Sequence, residues 1–294
     1  MELSLIREQM NKNKEQNNSK RQTMITLVQL ALPAIVQQLL SSILQYVDTA
    51  MVGHLGAAAT AAVSTSTSVN WLIHSLPGGF GIGLLSLLSQ AYGRGDKEEM
   101  KRLSALGCRL VLLFGVVITA ICLAISPFLP TWMQADPEIR PAASAYFFIT
   151  SVPLIFFVSN SIFASAMHSV KDTRTPMIVN LSANVLNAGL NYLFIYRLNL
   201  GTNGAAYATA ISTVFGGIGM FAAYRRKPEL RIKAGDLFVH DTDLLKKVLH
   251  VALPVTGTTI VSCMGYIVFS GMVNKAGVYG MIRLMFVVFS AMDS

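Results

Sequence analysis

Long stretches without charged residues constrain the fold of this 294-residue chain more than any other feature. Only 13% of its residues are charged, against about 25% in a typical soluble domain, and the charges are clustered. The apolar runs between the clusters reach about 20 residues or more, the length an α-helix needs to cross a bilayer. A membrane β-barrel would instead show short segments of alternating hydrophobicity. The sequence therefore predicts an all-α polytopic membrane protein.

Seven helical spans are predicted, at residues 25–53, 60–92, 103–127, 143–167, 177–198, 204–224 and 248–274. The second apolar stretch, 57–92, would measure about 54 Å as a helix, against a hydrocarbon core of about 30 Å. It therefore either projects into water as one helix or breaks at Pro77–Gly78–Gly79.

The distribution of lysine and arginine favours a single second span. On that assumption, 18 of the 23 basic residues fall in the N-terminal tail and in the segments 93–102, 168–176 and 225–247. Only three fall in the loops on the other side. By the positive-inside rule we expect the N-terminus to be cytoplasmic. We also expect the chain to lie in the plasma membrane. The same distribution accounts for the net charge of +8 without a nucleic-acid partner.

An internal repeat relates the two ends of the chain. Shifted by 221 residues, Leu30–Gly56 aligns with Val251–Gly277 without a gap, and eight of 27 positions are identical. Six spans precede the second copy, so both copies have the same orientation, as in transporters whose two lobes are related by an axis along the membrane normal. Chance similarity between apolar helices is the alternative interpretation.

The repeat predicts the domain organisation. We expect a six-helix transmembrane lobe followed by the first helix of a second, repeat-related lobe that is truncated. The predicted boundaries are a cytoplasmic tail at 1–23, the lobe at 24–226, a cytoplasmic linker at 227–247 and the start of the second lobe at 248–294.

Asp48 is the only carboxylate within the predicted spans. An ionised aspartate at mid-membrane costs roughly 2.5–3.5 kcal/mol on insertion scales, so such a residue normally faces a bundle interior or a wet cavity and handles protons or cations. We therefore expect Asp48 to be shielded from lipid and to lie in the outward-facing half of span one.

Span five carries four asparagines on one helical face, at spacings i, i+4, i+7 and i+11: Asn180, Asn184, Asn187 and Asn191. Unpaired amides are costly in lipid, so this face contacts other helices or water. The asparagines either join helices by hydrogen bonds or form the wall of a hydrophilic cavity around Asp48. Further candidates to line that cavity are Gln37, Tyr46, Ser64 and Asn70.

Thr209 in span six can add a hydroxyl oxygen to this group. Carboxylate, amide carbonyl and hydroxyl oxygens are hard ligands suited to a small cation, but a carboxylate can equally take a proton. The sequence therefore leaves Na⁺ and H⁺ both open. The cysteines and histidines show no metal-binding spacing.

The sequence resembles the multidrug and toxic compound extrusion (MATE) family of cation-coupled efflux transporters over about 25–277. The matching residues are Leu32–Pro33, Val47–Asp48–Thr49, Gly53, Gln90, Gly93, Asp172–Pro176, Asn187, Asn191–Tyr192, Phe194–Tyr196 and Gly204–Thr209. The resemblance implies that Asp48 is the coupling carboxylate and that Asn187, Asn191 and Thr209 line its cation site. Asp48, Asn187 and Thr209 would then hold Na⁺ if that is the coupling ion.

The resemblance implies a transporter, not an enzyme. It would exchange H⁺ or Na⁺ for small, drug-like, often cationic organic compounds by alternating access, with no cofactor besides the coupling ion. Members have twelve spans in two lobes, and some carry an acid where Asn191 stands or a Glu where Ser262 stands. Three alternatives remain. The first is a half-transporter that is inactive or works only with a second lobe supplied in trans. The second is a lipid-linked precursor flippase of a related superfamily, and the third is a seven-span receptor, which would need an external N-terminus.

Overall fold

The structure is a computed structural model that describes residues 31–262 except 134, 233–234 and 236–241, and also Met24, Val28 and Gly265. All regular secondary structure in these residues is helical. The predicted N-terminal tail, most of the predicted linker and nearly all of the chain after Ser262, including the rest of span seven, lie outside the described residues.

The first two helices are α1, residues 31–53, and α2, Ala57–Arg94. Helix α2 has 38 residues, or about 57 Å at 1.5 Å per residue, so it extends beyond a hydrocarbon core of about 30 Å. Pro77 lies inside it without ending it. Of the two alternatives that the sequence left open for this stretch, the structure has the single helix.

A tight turn joins α2 to α3, which spans Lys97–Ile125. Gly95 adopts a left-handed conformation, with φ of 71°, that favours glycine, and it ends α2. Asp96 then caps α3, because its side chain accepts a hydrogen bond of 3.0 Å from the backbone N–H of Glu99. Gly95 and Asp96 therefore place the turn between α2 and α3 in the basic segment 93–102, which is predicted to be cytoplasmic.

The predicted fourth span, 143–167, is a bent pair of helices. The short helix α4, Leu129–Trp132, is followed by α5, Arg140–Ser151, and α6, Leu154–Ser169, and the axes of α5 and α6 differ by 47°. Pro153 lies in the break. Proline cannot donate a backbone hydrogen bond to the preceding turn and its ring crowds that turn, so a continuous helix is disfavoured here.

Helix α7, Arg174–Asn191, continues into a π-helical segment, Tyr192–Arg197, before the chain reverses into α8, Gly201–Arg226. The short loop between them contains Asn199 with φ of 51°. π-Helical turns are frequent at functional sites, and this one begins directly after Asn191.

Asp172 ties the start of α7 to the end of α8. Its carboxylate accepts hydrogen bonds from the backbone N–H of Thr175 at 3.0 Å and from Oγ1 of Thr175 at 2.7 Å, and it pairs with Nζ of Lys227 at 2.6 Å. Burial by itself raises the pKa of this carboxyl, but the hydrogen bonds and the charge of Lys227 outweigh it and hold the pKa below its ordinary value.

Helix α6 lies at the centre of the bundle, between α2, α3 and α8. Its buried apolar residues, including Ile162 and Met167, pack against Leu84 and Leu88 of α2, Leu103 of α3 and Met220 and Tyr224 of α8. Glycines allow the closest approaches. A Cβ atom added at Gly217 of α8 would lie only 2.5 Å from the backbone oxygen of Phe156 in α6.

The last described helix, α9 at Thr242–Ser262, packs on a glycine face of α2. A Cβ added at Gly83 would lie 2.8 Å from the backbone oxygen of Val248, and one added at Gly79 would overlap Oγ1 of Thr256. The helix that begins the second copy of the repeat is therefore in direct contact with the lobe that carries the first copy.

Five described helices are long and apolar enough to cross a membrane: α2, α3, α7 with its extension, α8 and α9. The bent α5–α6 pair makes a sixth span if it is counted as one. With α1, whose three glutamines and Asp48 lower its hydropathy, these helices match the seven predicted spans in order. The all-α polytopic architecture is thus confirmed, whereas the domain boundaries stay a prediction.

Candidate cation site and adjoining cavity

Asp48 faces other helices of the bundle. Its side chain is half-buried, and its Oδ1 accepts a hydrogen bond from Nδ2 of Asn191, which is completely buried in α7. One face of α1 also carries Ser41, two turns earlier, whose Oγ accepts a hydrogen bond of 2.9 Å from Nδ2 of Asn184. The expected shielding of Asp48 by amides of span five is therefore observed.

These two contacts also fix the relative direction of α1 and α7. The contacts join Ser41 to Asn184 and Asp48 to Asn191. Asp48 lies seven residues after Ser41 in α1, and its partner Asn191 lies seven residues after Asn184 in α7. The two helices therefore run parallel. Parallel spans require an odd number of crossings between them, which agrees with α2, α3 and the bent α5–α6 pair each crossing once.

Hydrogen bonds extend from Asp48 into α8. Nδ2 of Asn191 also donates to Oδ1 of Asn187 at 3.3 Å, and Nδ2 of Asn187 lies 3.5 Å from Oγ1 of Thr209. The chain of contacts thus joins three helices through one carboxylate, two amides and one hydroxyl. It unites all four residues that the sequence proposed for a cation site.

The oxygen atoms in this network suit a small cation. Oδ1 of Asn191 is buried and has no hydrogen-bond partner in the part of the chain that the structure describes. An unpaired buried acceptor is costly, and a cation or a proton donor at this position would satisfy it. With the Asp48 carboxylate, Oδ1 of Asn187 and Oγ1 of Thr209, it gives a set of hard oxygen ligands.

Asp48 also lines two cavities, one of about 350 Å³ and one of about 470 Å³. They share six lining residues and therefore adjoin: Gln45, Asp48, His74, Phe157, Thr209 and Thr213. The smaller cavity is partly aromatic, with Trp71 and Tyr146 in its wall. The larger one is lined by the asparagine face of α7. Asp48 thus lies where an aromatic compartment meets an amide-rich one.

Most predicted cavity residues lie in these walls. Gln37, Asn180 and Asn184 line the larger cavity, and Ser64 and Asn70 line the smaller one. Tyr46 lines neither of these two cavities and its side chain is 77% exposed, so its place in a cavity wall stays a prediction. Two residues along an α-helix correspond to a rotation of about 200°, so Tyr46 points away from the face that carries Asp48.

The two interpretations of the asparagine face both hold. Oδ1 of Asn180 accepts a hydrogen bond of 2.9 Å from Nδ2 of Asn160 in α6, and Asn184 donates to Ser41 in α1. The same amides line the larger cavity. They therefore join α7 to its neighbours while presenting polar groups to the space beside Asp48.

The sequence prediction missed His74, Phe157 and Tyr146. The rings of His74 and Phe157 stack with centroids 4.0 Å apart, and both line the two cavities. Tyr146 of α5 is buried and lines the smaller cavity together with Asp48 and Thr209. His74 had a usable signal, because an ionisable residue within an apolar span is a functional candidate by default. No pattern distinguishes Tyr146 or Phe157 from ordinary apolar packing residues.

The charge of the cavity favours cations. Asp48 is its only charged lining residue among those that the structure describes, and no lysine or arginine accompanies it there. Aromatic faces such as those of Trp71 and Tyr146 attract cations through their quadrupoles.

Comparison with known proteins identifies the family. The MatE family model matches residues 33–193, which is more than half of the chain and contains both Asp48 and Asn191. The chain belongs to the MatE family. The resemblance read from the sequence is thereby confirmed. Proteins of this family are multi-pass membrane transporters rather than enzymes.

Individual MatE relatives extend the match beyond these residues. A probable multidrug resistance protein NorM of Thermotoga maritima is 27% identical over 256 residues, covering 85% of this chain and 55% of that protein. A crystal structure of MATE in the straight conformation superimposes with a TM-score of 0.79 at 27% identity, covering 86% of this chain and 56% of the other.

An outward-facing multidrug resistance MATE family transporter of the MOP superfamily gives a TM-score of 0.75 at 28% identity, covering 80% of this chain and 52% of that one. The chain thus spans about half the length of the relatives that it matches.

Proposed function

We propose that this chain forms the cation-coupling lobe of a secondary active efflux transporter. In this proposal, inward movement of H⁺ or Na⁺ drives export of drug-like, often cationic, organic compounds across the plasma membrane, and the N-terminus is cytoplasmic. The observation that carries the proposal is the contact of Asp48 with the buried Asn191 beside a cavity that has no other charged residue in its described lining.

The proposed mechanism depends on competition for one carboxylate. A proton or Na⁺ that enters from outside neutralises Asp48 and weakens its hold on Asn191. This changes the contact between α1 and α7, because that hydrogen bond joins them. A cationic substrate in the aromatic compartment near Trp71 loses its counter-charge at the same moment and is released. Such coupling requires only that ion and substrate bind the alternating states unequally.

Two other functions are less well supported. A flippase for lipid-linked precursors would need positive charge to hold pyrophosphate, and no lysine or arginine lines the described part of either cavity. The other function is that of a half-transporter that requires a second lobe in trans. Its only support is that the chain spans about half the length of its relatives.

An efflux assay tests the proposal. The 294-residue chain is reconstituted into vesicles, alone and together with a second MATE lobe, and ethidium export is followed under imposed Na⁺ or H⁺ gradients. We expect export with at least one gradient, and we expect Asp48→Asn to abolish it. Asp96→Asn is the matched control, because asparagine caps a helix as well as aspartate and Asp96 lies outside the spans.

The arms of this assay separate the alternatives. Export only when the second lobe is present would identify a partner-dependent half-transporter with the same coupling site. Undiminished gradient-driven export by Asp48→Asn, or no export by the wild-type chain in either arm, would contradict the proposed function.

A further inference from the structure

A third cavity lies away from Asp48, in a groove between α3, α6 and α8. Its volume is about 390 Å³. Its walls are mainly apolar side chains from the three helices, including Val111, Leu112, Ile155, Phe156, Ile218 and Phe221. Two arginines, Arg225 and Arg231, also line it. We call this feature the α3–α6–α8 groove.

The α3–α6–α8 groove opens sideways from the bundle. Leu112, Ile218 and Phe221 are 55%, 53% and 41% exposed, although they belong to membrane-spanning helices. Its floor is closed by buried aromatic rings, since Phe163 and Tyr224 stack with centroids 4.4 Å apart. The groove is therefore accessible from the side of the described bundle.

The length of the α3–α6–α8 groove matches one leaflet. Along α8 it extends from Gly217 to Arg225, eight residues or about 12 Å at 1.5 Å per residue. Half of a hydrocarbon core of about 30 Å is about 15 Å. Because Arg225 is in the last turn of α8, the arginines lie at the membrane surface and the apolar walls extend toward the bilayer centre.

The two arginines form the charged end of the groove. Neither has a carboxylate within salt-bridge distance among the described residues, and the guanidinium of Arg225 lies 5.9 Å from the ring centre of Phe221. Arg231 is held near α8 because its neighbour Leu230 is completely buried in the core of the lobe. The apolar groove therefore ends in two guanidinium groups that have no carboxylate partner in the part of the chain that the structure describes.

We propose that the α3–α6–α8 groove binds an anionic phospholipid. The headgroup phosphate accepts hydrogen bonds from Arg225 and Arg231, and one acyl chain lies along Leu112, Ile155 and Ile218. Arginine forks suit phosphate, and basic pockets between membrane helices recognise anionic headgroups. With the predicted orientation, the lipid comes from the cytoplasmic leaflet. This site is separate from Asp48 and does not depend on the transport proposal.

Lipid retention tests the proposal. The full chain is placed in nanodiscs of equimolar phosphatidylglycerol and phosphatidylcholine, released into mild detergent and weighed with its retained lipids by native mass spectrometry. We expect phosphatidylglycerol to be retained preferentially. The double variant Arg225→Ala, Arg231→Ala should lower the ratio of retained phosphatidylglycerol to phosphatidylcholine by at least about tenfold, because it removes the charge-assisted hydrogen bonds to the bound headgroup.

Two further variants make this test specific. Arg226→Ala removes a neighbouring exposed arginine at the same helix end that does not line the groove, and it should leave the ratio unchanged. Ile218→Trp fills the groove while keeping both arginines, and it should also abolish the preference. Unfolding midpoints measured in the same detergent confirm that each variant is folded.

Equal retention of the two lipids by the wild-type chain would overturn the proposal. So would a preference that survives either the double arginine substitution or Ile218→Trp in a folded protein.

Discussion

Replacing Asn191 by leucine is expected to lower the free energy of unfolding by about 2 kcal/mol, because it removes the hydrogen bond that a buried amide donates to the Asp48 carboxylate. The second amide hydrogen, which bonds to Asn187, is lost as well. Reversible unfolding in mixed detergent micelles measures the change.

Asn184→Leu is the matched control for this substitution. Asn184 lies on the same face of α7 and also donates to α1, but its partner is the neutral hydroxyl of Ser41. Interhelical hydrogen bonds between neutral groups in membranes average about 0.6 kcal/mol, so Asn184→Leu should cost well under half as much. In an Asp48→Asn background, the cost of Asn191→Leu should fall by at least about 1 kcal/mol. Equal costs at the two positions, or strict additivity with Asp48→Asn, would contradict this account of the site.

Replacing Gly217 by alanine is expected to destabilise the lobe by about 2 kcal/mol, although alanine favours helices more than glycine does. The added Cβ would lie 2.5 Å from the backbone oxygen of Phe156 and 2.8 Å from its Cα. Because these are backbone atoms, no side-chain rotation relieves the overlap. Helices α6 and α8 must move apart, and α6 is central to the core.

Gly189→Ala provides the comparison for Gly217→Ala. Gly189 lies within α7, and an added Cβ there would meet no atom within 4 Å. Higher helix propensity should then make Gly189→Ala neutral or stabilising by up to about 1 kcal/mol. Unfolding midpoints in one detergent compare the two variants directly. A Gly217→Ala variant as stable as Gly189→Ala would show that the α6–α8 contact is looser than the structure indicates.

The relation between Asp48 and the asparagine face could be predicted because two simple rules apply to it. A carboxylate in an apolar span must be shielded, and residues at i, i+4, i+7 and i+11 must share a helical face. Together these rules predicted that Asp48 would meet amides of span five. They could not specify which amide, since that depends on the parallel register of α1 and α7.

Other features depend on tertiary packing. Tyr46 is close in sequence to Asp48, but helical rotation places its side chain on the exposed side of α1, outside the two cavities beside Asp48. Tyr146 of α5 and Phe157 of α6 lie on opposite sides of the break at Pro153, and both line the smaller cavity. That break could have been anticipated from the proline, although Pro77 shows that a proline in this chain does not always end a helix.

The most direct test of the central claim is cation binding by the purified chain itself. Trp71 lines the same cavity as Asp48, so in a Trp132→Phe background it is the one tryptophan and reports locally. Its fluorescence is titrated with Na⁺ at several pH values and with acid in the absence of Na⁺. A saturable response to Na⁺ or H⁺ that is lost in Asp48→Asn is the predicted result. No response to either ion, or the same response after Asp48→Asn, would contradict the assignment of Asp48 as the cation site.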